Sequence, residues 1–328
     1  MNQKTIPSRV HFVWIGESFP FVNLLAARSA AARGGFGEIV IHHTDTPESP
    51  FFHQLEEIPG ARTERCDPAD VFGQLEKDIG DQLHELFKAL DMPAAKCDVL
   101  RTALLYIHGG VYMDFDTLSL SSFDKLLENG DFFCGNEHSI YPGHVRFSWD
   151  PRKAIPALVL QGMRGVCYAK QGGWMRYRST VEPLITPHPN NAILGCAKAD
   201  PFVESMLRMM AAWPRKRSVR RCALGPHLLQ EAVATWLSEG KSGIAVLPPS
   251  TFYPLGPVIA QHWFALGTAT RVDDMLYPDT MVRFAQRHAT PRHATQSSVA
   301  HGRSCTTITR TRAPSSSIIS HRRQSLRR

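Results

Sequence analysis

The stretch that decides the fold is GGVYMDFD, residues 109–116. It follows the segment Ala94 to His108, which carries an apolar stripe at helical spacing, namely Val99, Ala103, Leu104 and Ile107. The glycine pair predicts the end of that helix, and residues 111–113 predict a short strand with two aspartates at its exit. In α/β sheets ligands bind at the carboxyl ends of strands, so this pattern indicates a ligand site there.

The flanking segments extend the same alternation. Residues 9–15 are rich in β-branched and aromatic side chains and predict a buried strand, 21–33 predict a helix that ends at a glycine pair, and 38–43 predict a second strand. This strand–helix–strand order favours a parallel sheet. Further elements are predicted as mostly surface-facing helix over 66–90, strand over 131–135, helix over 200–213, helix from 225 to about 237, and strand over 244–247.

The composition is that of a folded protein: 43% of the 328 residues are hydrophobic and 20% are charged. No apolar run approaches the length of a membrane span, and the N-terminus lacks the pattern of a secretory signal. The seven cysteines are odd in number and contain no C-x-x-C pair, which disfavours a disulfide framework. We therefore expect a cytoplasmic protein without a transmembrane segment.

The net charge of +7 comes from the C-terminal segment alone. Ten of the 37 basic residues are arginines in 283–328, a segment without acidic residues, which leaves 27 basic and 30 acidic residues in 1–282. The overall charge therefore does not indicate a nucleic-acid partner. Residues 283–328 have hardly any apolar periodicity, and we expect a disordered tail after a folded domain over 1–282.

The aspartates of GGVYMDFD are candidate metal ligands. In an extended segment alternate residues share a face, so Tyr112, Asp114 and Asp116 are expected to point the same way. Two carboxylates two residues apart can share Mg²⁺ or Mn²⁺, which keeps positions for water and diphosphate oxygens. A D-x-D pattern alone is weak, because a solvated turn is its usual explanation.

Three further side chains are candidates for donor binding. Asp98 and Arg101 share one helical face opposite the apolar stripe; a surface ion pair is the ordinary explanation, and recognition of sugar hydroxyls or phosphate is the functional one. Trp14 ends the first strand, either as a core aromatic or as a stacking platform for a nucleobase. The histidines His42, His43 and His227 lack partners at metal-ligand spacing and are expected at the surface or at helix caps.

Three ordered blocks, HFVWIG at 11–16, KCDVLR at 96–101 and GGVYMDFD at 109–116, resemble the D-x-D sugar-binding glycosyltransferases. That group includes capsular-polysaccharide transferases, fungal mannosyltransferases and the glucosylating domain of large clostridial toxins. The resemblance implies a GT-A, Rossmann-like α/β fold with a mostly parallel sheet and helical additions. It also implies a UDP- or GDP-sugar donor, a carbohydrate or lipid-linked glycan acceptor, Mn²⁺ or Mg²⁺, and transfer with retention.

The resemblance also assigns roles to single residues. Trp14 would stack on the base, Asp98 and Arg101 would hold the donor sugar, and Tyr112 would support the ribose or base. Asp114 would contact ribose and sugar hydroxyls, Asp116 would bind the metal with Asp114, and the catalytic set would be Asp114, Asp116 and Arg101. Asn191 would contact the donor.

The C-terminal part departs from the family pattern. After Pro278-Asp279-Thr280 the bacterial members continue with a His-Trp motif over the diphosphate, whereas this chain enters the arginine-rich tail. We interpret the shift as an out-of-frame or degenerate C-terminus, with His262-Trp263 as another source of the motif. Two alternatives stay open: a catalytically impaired nucleotide-sugar-binding protein, and a haloacid-dehalogenase-like phosphatase with Asp114 as nucleophile.

Overall fold

The protein is a seven-stranded mixed α/β structure. The computed structural model describes residues 5–128, 130–168 and 173–252. The strands are β1 (Arg9–Trp14), β2 (Glu38–His43), β3 (Ala61–Arg65), β4 (Gly110–Met113), β5 (Phe132–His138), β6 (Pro187–Cys196) and β7 (Ile244–Leu247). Their order in the sheet is β3-β2-β1-β4-β6-β5-β7. Only β6 runs against its neighbours β4 and β5, and the other four pairs are parallel.

Thirteen helices occupy the described part of the chain. They are α1 (Phe21–Arg33), α2 (Pro50–His53), α3 (Pro68–Phe72), α4 (Lys77–Ala89), α5 (Pro93–His108), α6 (Asp124–Leu127), α7 (Gly143–Arg146), α8 (Pro151–Tyr168), α9 (Gly173–Thr180), α10 (Pro201–Ala212), α11 (Arg215–Ser218), α12 (Leu228–Ser238) and α13 (Pro249–Phe252). A 3-10 turn at Glu182–Leu184 and a π-turn at Ala223–His227 complete the set. None of these helices has the length and apolar content to span a bilayer.

The sheet separates two hydrophobic cores because alternate strand residues face opposite sides. On one side Phe12, Ile39 and Met113 pack against α1, α2, α6 and α13. On the other side Val13, Tyr112 and Leu194 pack against α3, α4, α5, α10 and α12. Helix α5 is therefore enclosed by the sheet and by other helices, which explains why its buried residues extend well beyond the apolar stripe.

The turn between α5 and β4 requires glycine at both positions. Gly109 and Gly110 have φ of 66° and 101°, a region that favours glycine. A Cβ at Gly109 would lie 2.6 Å from the amide nitrogen of Lys198, and one at Gly110 would lie 2.7 Å from the carbonyl oxygen of Arg9. The glycine pair thus lets the chain leave α5 and enter β4 directly beside β1.

The expected mostly parallel α/β sheet is confirmed. Several sequence expectations differ in detail. The segment 66–90 forms two helices, α3 and α4, that are exposed on one side, and the amphipathic helix α4 buries Leu83 and Phe87 in the core. The antiparallel strand β6 and the insertion α7–α9 were not predicted. Residues 253–282 of the predicted domain, with His262-Trp263 and Pro278-Asp279-Thr280, and the tail 283–328 lie outside the described residues.

Candidate active site

A cleft opens at the carboxyl ends of β1 and β4. These strands are parallel neighbours, so the end of β1 at Trp14 and the end of β4 before Asp114 lie at the same edge of the sheet. The cleft has a volume of about 390 Å³. Five of the seven predicted site residues line it, namely Trp14, Arg101, Tyr112, Asp114 and Asp116. A cavity of this size can enclose a small ligand.

Two contacts hold the carboxylate of Asp114, and two more hold its backbone. The hydroxyl of Tyr112 donates to Asp114 Oδ1 at 2.6 Å, and Arg101 Nη1 lies 2.9 Å from the same oxygen. The backbone N–H of Asp114 donates to the carbonyl oxygen of Ala192 at 2.9 Å, and the hydroxyl of Thr117 donates to the Asp114 carbonyl at 2.6 Å. The carboxylate is therefore held in one orientation before any ligand binds.

Arg101 links the cleft to buried anions. Its guanidinium forms ion pairs with Asp114 and, at 3.1 Å, with Asp98, and it lies 4.3 Å from the ring centre of Tyr112. The side chain is only 6% exposed. Burial opposes its charge, but the neighbouring anions, Asp114 first, hold its pKa well above the usual value. The ordinary explanation, a solvent-exposed ion pair, is therefore wrong, because Asp98 and Arg101 form a buried ion pair.

Asp98 and Asn191 lie behind Arg101 and do not line the cleft. The amide of Asn191 donates to Asp98 Oδ1 at 2.9 Å, while Arg101 Nη1 donates to the backbone carbonyl of Asn191 at 3.0 Å. Burial raises the pKa of Asp98 to about 6, and the charge of Arg101 opposes that shift. Gly225 of the π-turn covers this pair, since a Cβ there would lie 2.8 Å from both Asp98 carboxylate oxygens and from Asn191 Nδ2.

Asp116 is the exposed carboxylate of the site. It lies in the turn after Asp114 and lines the cleft, as expected for a residue at a strand exit. Desolvation beside the cleft wall, followed by the negative charge of Asp114, raises its pKa to about 7.

The donor set fits a hard divalent cation that keeps most of its other ligands. The described residues contain no cluster of three or more His, Cys, Asp or Glu side chains that could hold a metal ion. Asp114 and Asp116, which both line the cleft, could supply two oxygens, and water or phosphate oxygens would supply the rest, as Mg²⁺ usually requires.

The wall of the cleft at β1 is aromatic and contains two unpaired donors. The Trp14 ring is half-buried and meets the rings of Phe19 and Phe115 edge-on, at interplanar angles of 79° and 80°. Within the described part of the chain its Nε1 is buried without a hydrogen-bond partner, and so is Nδ2 of Asn23 in α1. Buried donors without partners are uncommon and require an explanation.

Sequence reasoning missed Asn23. The signal that could have found it is an amide in the otherwise apolar segment 21–27, whose side chains Val22 and Leu24 belong to the core. Asn23 lines the cleft together with Trp14.

The histidines that we expected at the surface or at helix caps lie elsewhere. His42, His43 and His227 are buried, and His42 is hydrogen-bonded to His11 at 2.8 Å.

The comparisons with known proteins identify the site region. Residues 42–133 match the family described as glycosyltransferase sugar-binding region containing DXD motif. That segment includes Asp98, Arg101, Tyr112, Asp114 and Asp116. A search of curated proteins found no match.

A search of solved structures matches glycosyltransferases at low sequence identity. The PaToxG glycosyltransferase is 13% identical with a TM-score of 0.47, covering 87% of this chain and 86% of its own. The UDP-bound glycosyltransferase domain of the YGT toxin is 10% identical with a TM-score of 0.40, covering 89% and 96%. The galactosyltransferase LgtC with donor and acceptor sugar analogs is 14% identical with a TM-score of 0.39, covering 83% and 82%.

The class that the fold defines is a mixed α/β protein with a mostly parallel sheet. Residues 42–133 are similar to the sugar-binding region of the DXD-containing glycosyltransferases.

Proposed function

We propose that the chain transfers a sugar from a UDP- or GDP-sugar to a carbohydrate or lipid-linked glycan acceptor, with Mn²⁺ or Mg²⁺ and with retention. The observation that carries the proposal is the cleft in which the aromatic wall of Trp14 faces the same space as the D-x-D carboxylates. Retention is supported by the resemblance to the DXD group alone. The six described cysteines are free thiols, which fits the cytoplasm as the compartment.

The charges of the site favour a donor bound together with a cation. Asp98, Asp114 and Asp116 contribute three carboxylates against the single cation of Arg101. A nucleoside diphosphate would add negative charge to a site that is already negative. Asp116 and Asp114 would hold the cation, which would supply charge stabilisation for the departing diphosphate.

Different residues of the cleft would contact different parts of the nucleotide-sugar donor. The Trp14 ring supplies a face for the base, and Asn23 lines the same cleft. Tyr112 and Arg101 fix Asp114 so that its carboxylate can accept from ribose or sugar hydroxyls. Asp98 and Asn191 position Arg101 from behind rather than touching the donor in the described arrangement.

The geometry disfavours the phosphatase alternative. A nucleophilic Asp114 would need an electron-rich carboxylate to attack phosphorus. Here Oδ1 of Asp114 is shared by the guanidinium of Arg101 and the hydroxyl of Tyr112, which lowers its nucleophilicity.

A panel of nucleotide sugars tests the proposal, with thermal shift and donor hydrolysis measured with and without Mn²⁺. We expect one donor to raise the melting temperature by mass action, more strongly with the cation present. Asp116→Ala should abolish cation-dependent turnover and leave the fold intact, because Asp116 is exposed. The matched control is Asp81→Ala, which removes an exposed carboxylate from α4, away from the cleft.

Two results would count against the proposal. Turnover that survives Asp116→Ala unchanged would remove the metal role. Hydrolysis of a generic phosphomonoester without activity on any nucleotide sugar would favour the phosphatase.

A further inference from the structure

Helix α8 presents an apolar face to solvent. The helix belongs to the insertion between β5 and β6 and packs through Ala157, Leu160 and Cys167 onto Tyr177 and Val181. Its opposite side carries exposed apolar residues, namely Ile155 (59% exposed), Leu158 (62%), Val159 (56%), Met163 (37%) and Val166 (75%). At 100° per residue these five span an arc of about 140°. We call these five residues the α8 face.

Trp149 extends the α8 face at its start. It stands two residues before the helix and is 99% exposed. Single exposed apolar residues are common on protein surfaces, whereas an exposed apolar helix face with an exposed tryptophan just before it in the chain indicates an interaction surface. Tryptophan is also enriched where protein meets the interfacial region of a bilayer.

The charges around the α8 face are mainly basic, although the exposed Asp150 lies between Trp149 and the helix. Helix α8 contains Arg152, Lys153 and Arg164 and no acidic residue. The neighbouring segment 215–221 adds exposed basic side chains, namely Arg215, Lys216, Arg220 and Arg221. The guanidinium of Arg220 lies 5.5 Å from the ring centre of Phe147, two residues before Trp149, so this basic segment adjoins the start of the face.

We propose that the α8 face docks onto a lipid bilayer with anionic headgroups, with Trp149 at the headgroup level. An apolar helix face with basic residues beside it, here Arg152 and the segment 215–221, is the pattern of helices that lie in the membrane interface. A second copy of the chain fits less well, since pairing the two faces would bring the basic segments of both copies together.

The α8 face lies in an insertion near the cleft, so docking onto a bilayer would bring the cleft close to the membrane. Strand β4 is antiparallel to β6, and β6 is antiparallel to β5, so β4 and β5 run in the same direction. The insertion that holds α8 therefore leaves the sheet at the edge where the cleft opens. The bilayer would then present a lipid-linked acceptor to the cleft, a step that rests on the proposed glycosyl transfer.

Fluorescence quenching by vesicles with brominated acyl chains tests the docking in the full chain. Vesicles of phosphatidylcholine and phosphatidylglycerol should quench the Trp149 contribution, and Trp149→Phe should remove that part of the quenching. The ten arginines of 283–328 can also bind anionic lipid, so the measurement is repeated at about 0.5 M salt, where surface charge attraction is screened.

A double variant separates the α8 face from general surface hydrophobicity. Ile155→Glu with Val166→Glu should lower vesicle partitioning about tenfold or more, because two apolar contacts become charged. The control Leu237→Glu changes an equally exposed leucine (56%) on α12 and should leave partitioning unchanged. Donor hydrolysis in free solution should be the same in all three proteins, so loss of docking and failure of the glycosyltransferase proposal are distinguishable.

Three results would overturn the docking proposal. Quenching that is unaffected by Trp149→Phe would show that this end does not reach the bilayer. Partitioning that survives the double variant would place lipid binding elsewhere. Self-association in the absence of vesicles, abolished by the double variant, would make the α8 face an interface between copies of the chain.

Discussion

The substitution Gly225→Ala should disturb the donor site from behind. The added Cβ would lie 2.8 Å from both carboxylate oxygens of Asp98 and from Nδ2 of Asn191, where ordinary contacts begin at 3.4 Å. The turn or the Asp98–Asn191 pair must therefore retreat by about 0.6 Å or more, and both side chains are buried. Overpacking of this kind costs about 1–3 kcal/mol in the free energy of unfolding.

The expected effect is measurable in two ways. For a domain of this size each kcal/mol lowers the melting temperature by about 2–4 °C, so thermal unfolding should show a decrease of about 2–12 °C. Because Asp98 and Asn191 hold Arg101, and Arg101 holds Asp114, nucleotide-sugar affinity measured by calorimetry should also fall.

Gly162→Ala is the matched control. This glycine lies within α8, and an added Cβ meets no atom within 4 Å. Alanine should therefore stabilise the helix by up to about 1 kcal/mol and leave donor affinity unchanged. A Gly225→Ala protein with unaltered melting temperature and unaltered affinity would refute the inference that the π-turn supports the Asp98–Asn191 pair.

Three further changes probe the cleft and the core. Trp14→Ala should weaken nucleotide binding by about 1–3 kcal/mol in calorimetry while Trp14→Phe keeps most of it, and equal losses would reduce Trp14 to core packing. Asn23→Leu should raise the melting temperature, because it removes a buried unpaired donor that costs about 1 kcal/mol, and it should lower donor affinity. If the melting temperature and the affinity both fell, the loss of affinity would come from a damaged fold, which would contradict the binding role of Asn23. Burial lowers the pKa of His11 from 6.5 to about 3, so the unfolded chain binds the proton first as pH falls. The contribution of His11 to the free energy of unfolding is therefore complete above pH 6.5 and falls below it, by about 2 kcal/mol at pH 5. Equal free energies of unfolding at pH 7 and pH 5, measured by urea titration, would exclude this.

Local sequence patterns predicted the elements on which the site stands. Residues 21–33, 38–43 and 244–247 have the expected type and bounds, and α5 begins one residue earlier than expected. These segments combine a clear apolar pattern with glycine at their ends, so local and tertiary preferences agree. Strand β6 was missed because its first half, PHPN, contains two prolines and lacks apolar alternation. Its pairing with β4 and β5 is a long-range interaction that no local pattern encodes.

The site shows where sequence reasoning ends. The D-x-D spacing at a strand exit was enough to predict that Asp114 and Asp116 share a cleft with Trp14, since strand direction alone brings them to one edge. Whether the Asp98–Arg101 ion pair is buried or solvated could not be predicted in the same way. Helical spacing says that they are neighbours, but whether the pair is solvated depends on the π-turn at 225, more than a hundred residues later.

That difference changes what the Asp98–Arg101 pair does. A solvated pair would contribute little to stability or binding. The buried pair cannot lose one partner without leaving an uncompensated charge, which makes it costly to break. Arg101 is therefore held rigidly toward Asp114, and the cleft receives an oriented carboxylate instead of a mobile one. Pre-orientation of this kind is what an electrostatically driven reaction requires, because the dipoles and charges need not reorganise when the leaving group departs.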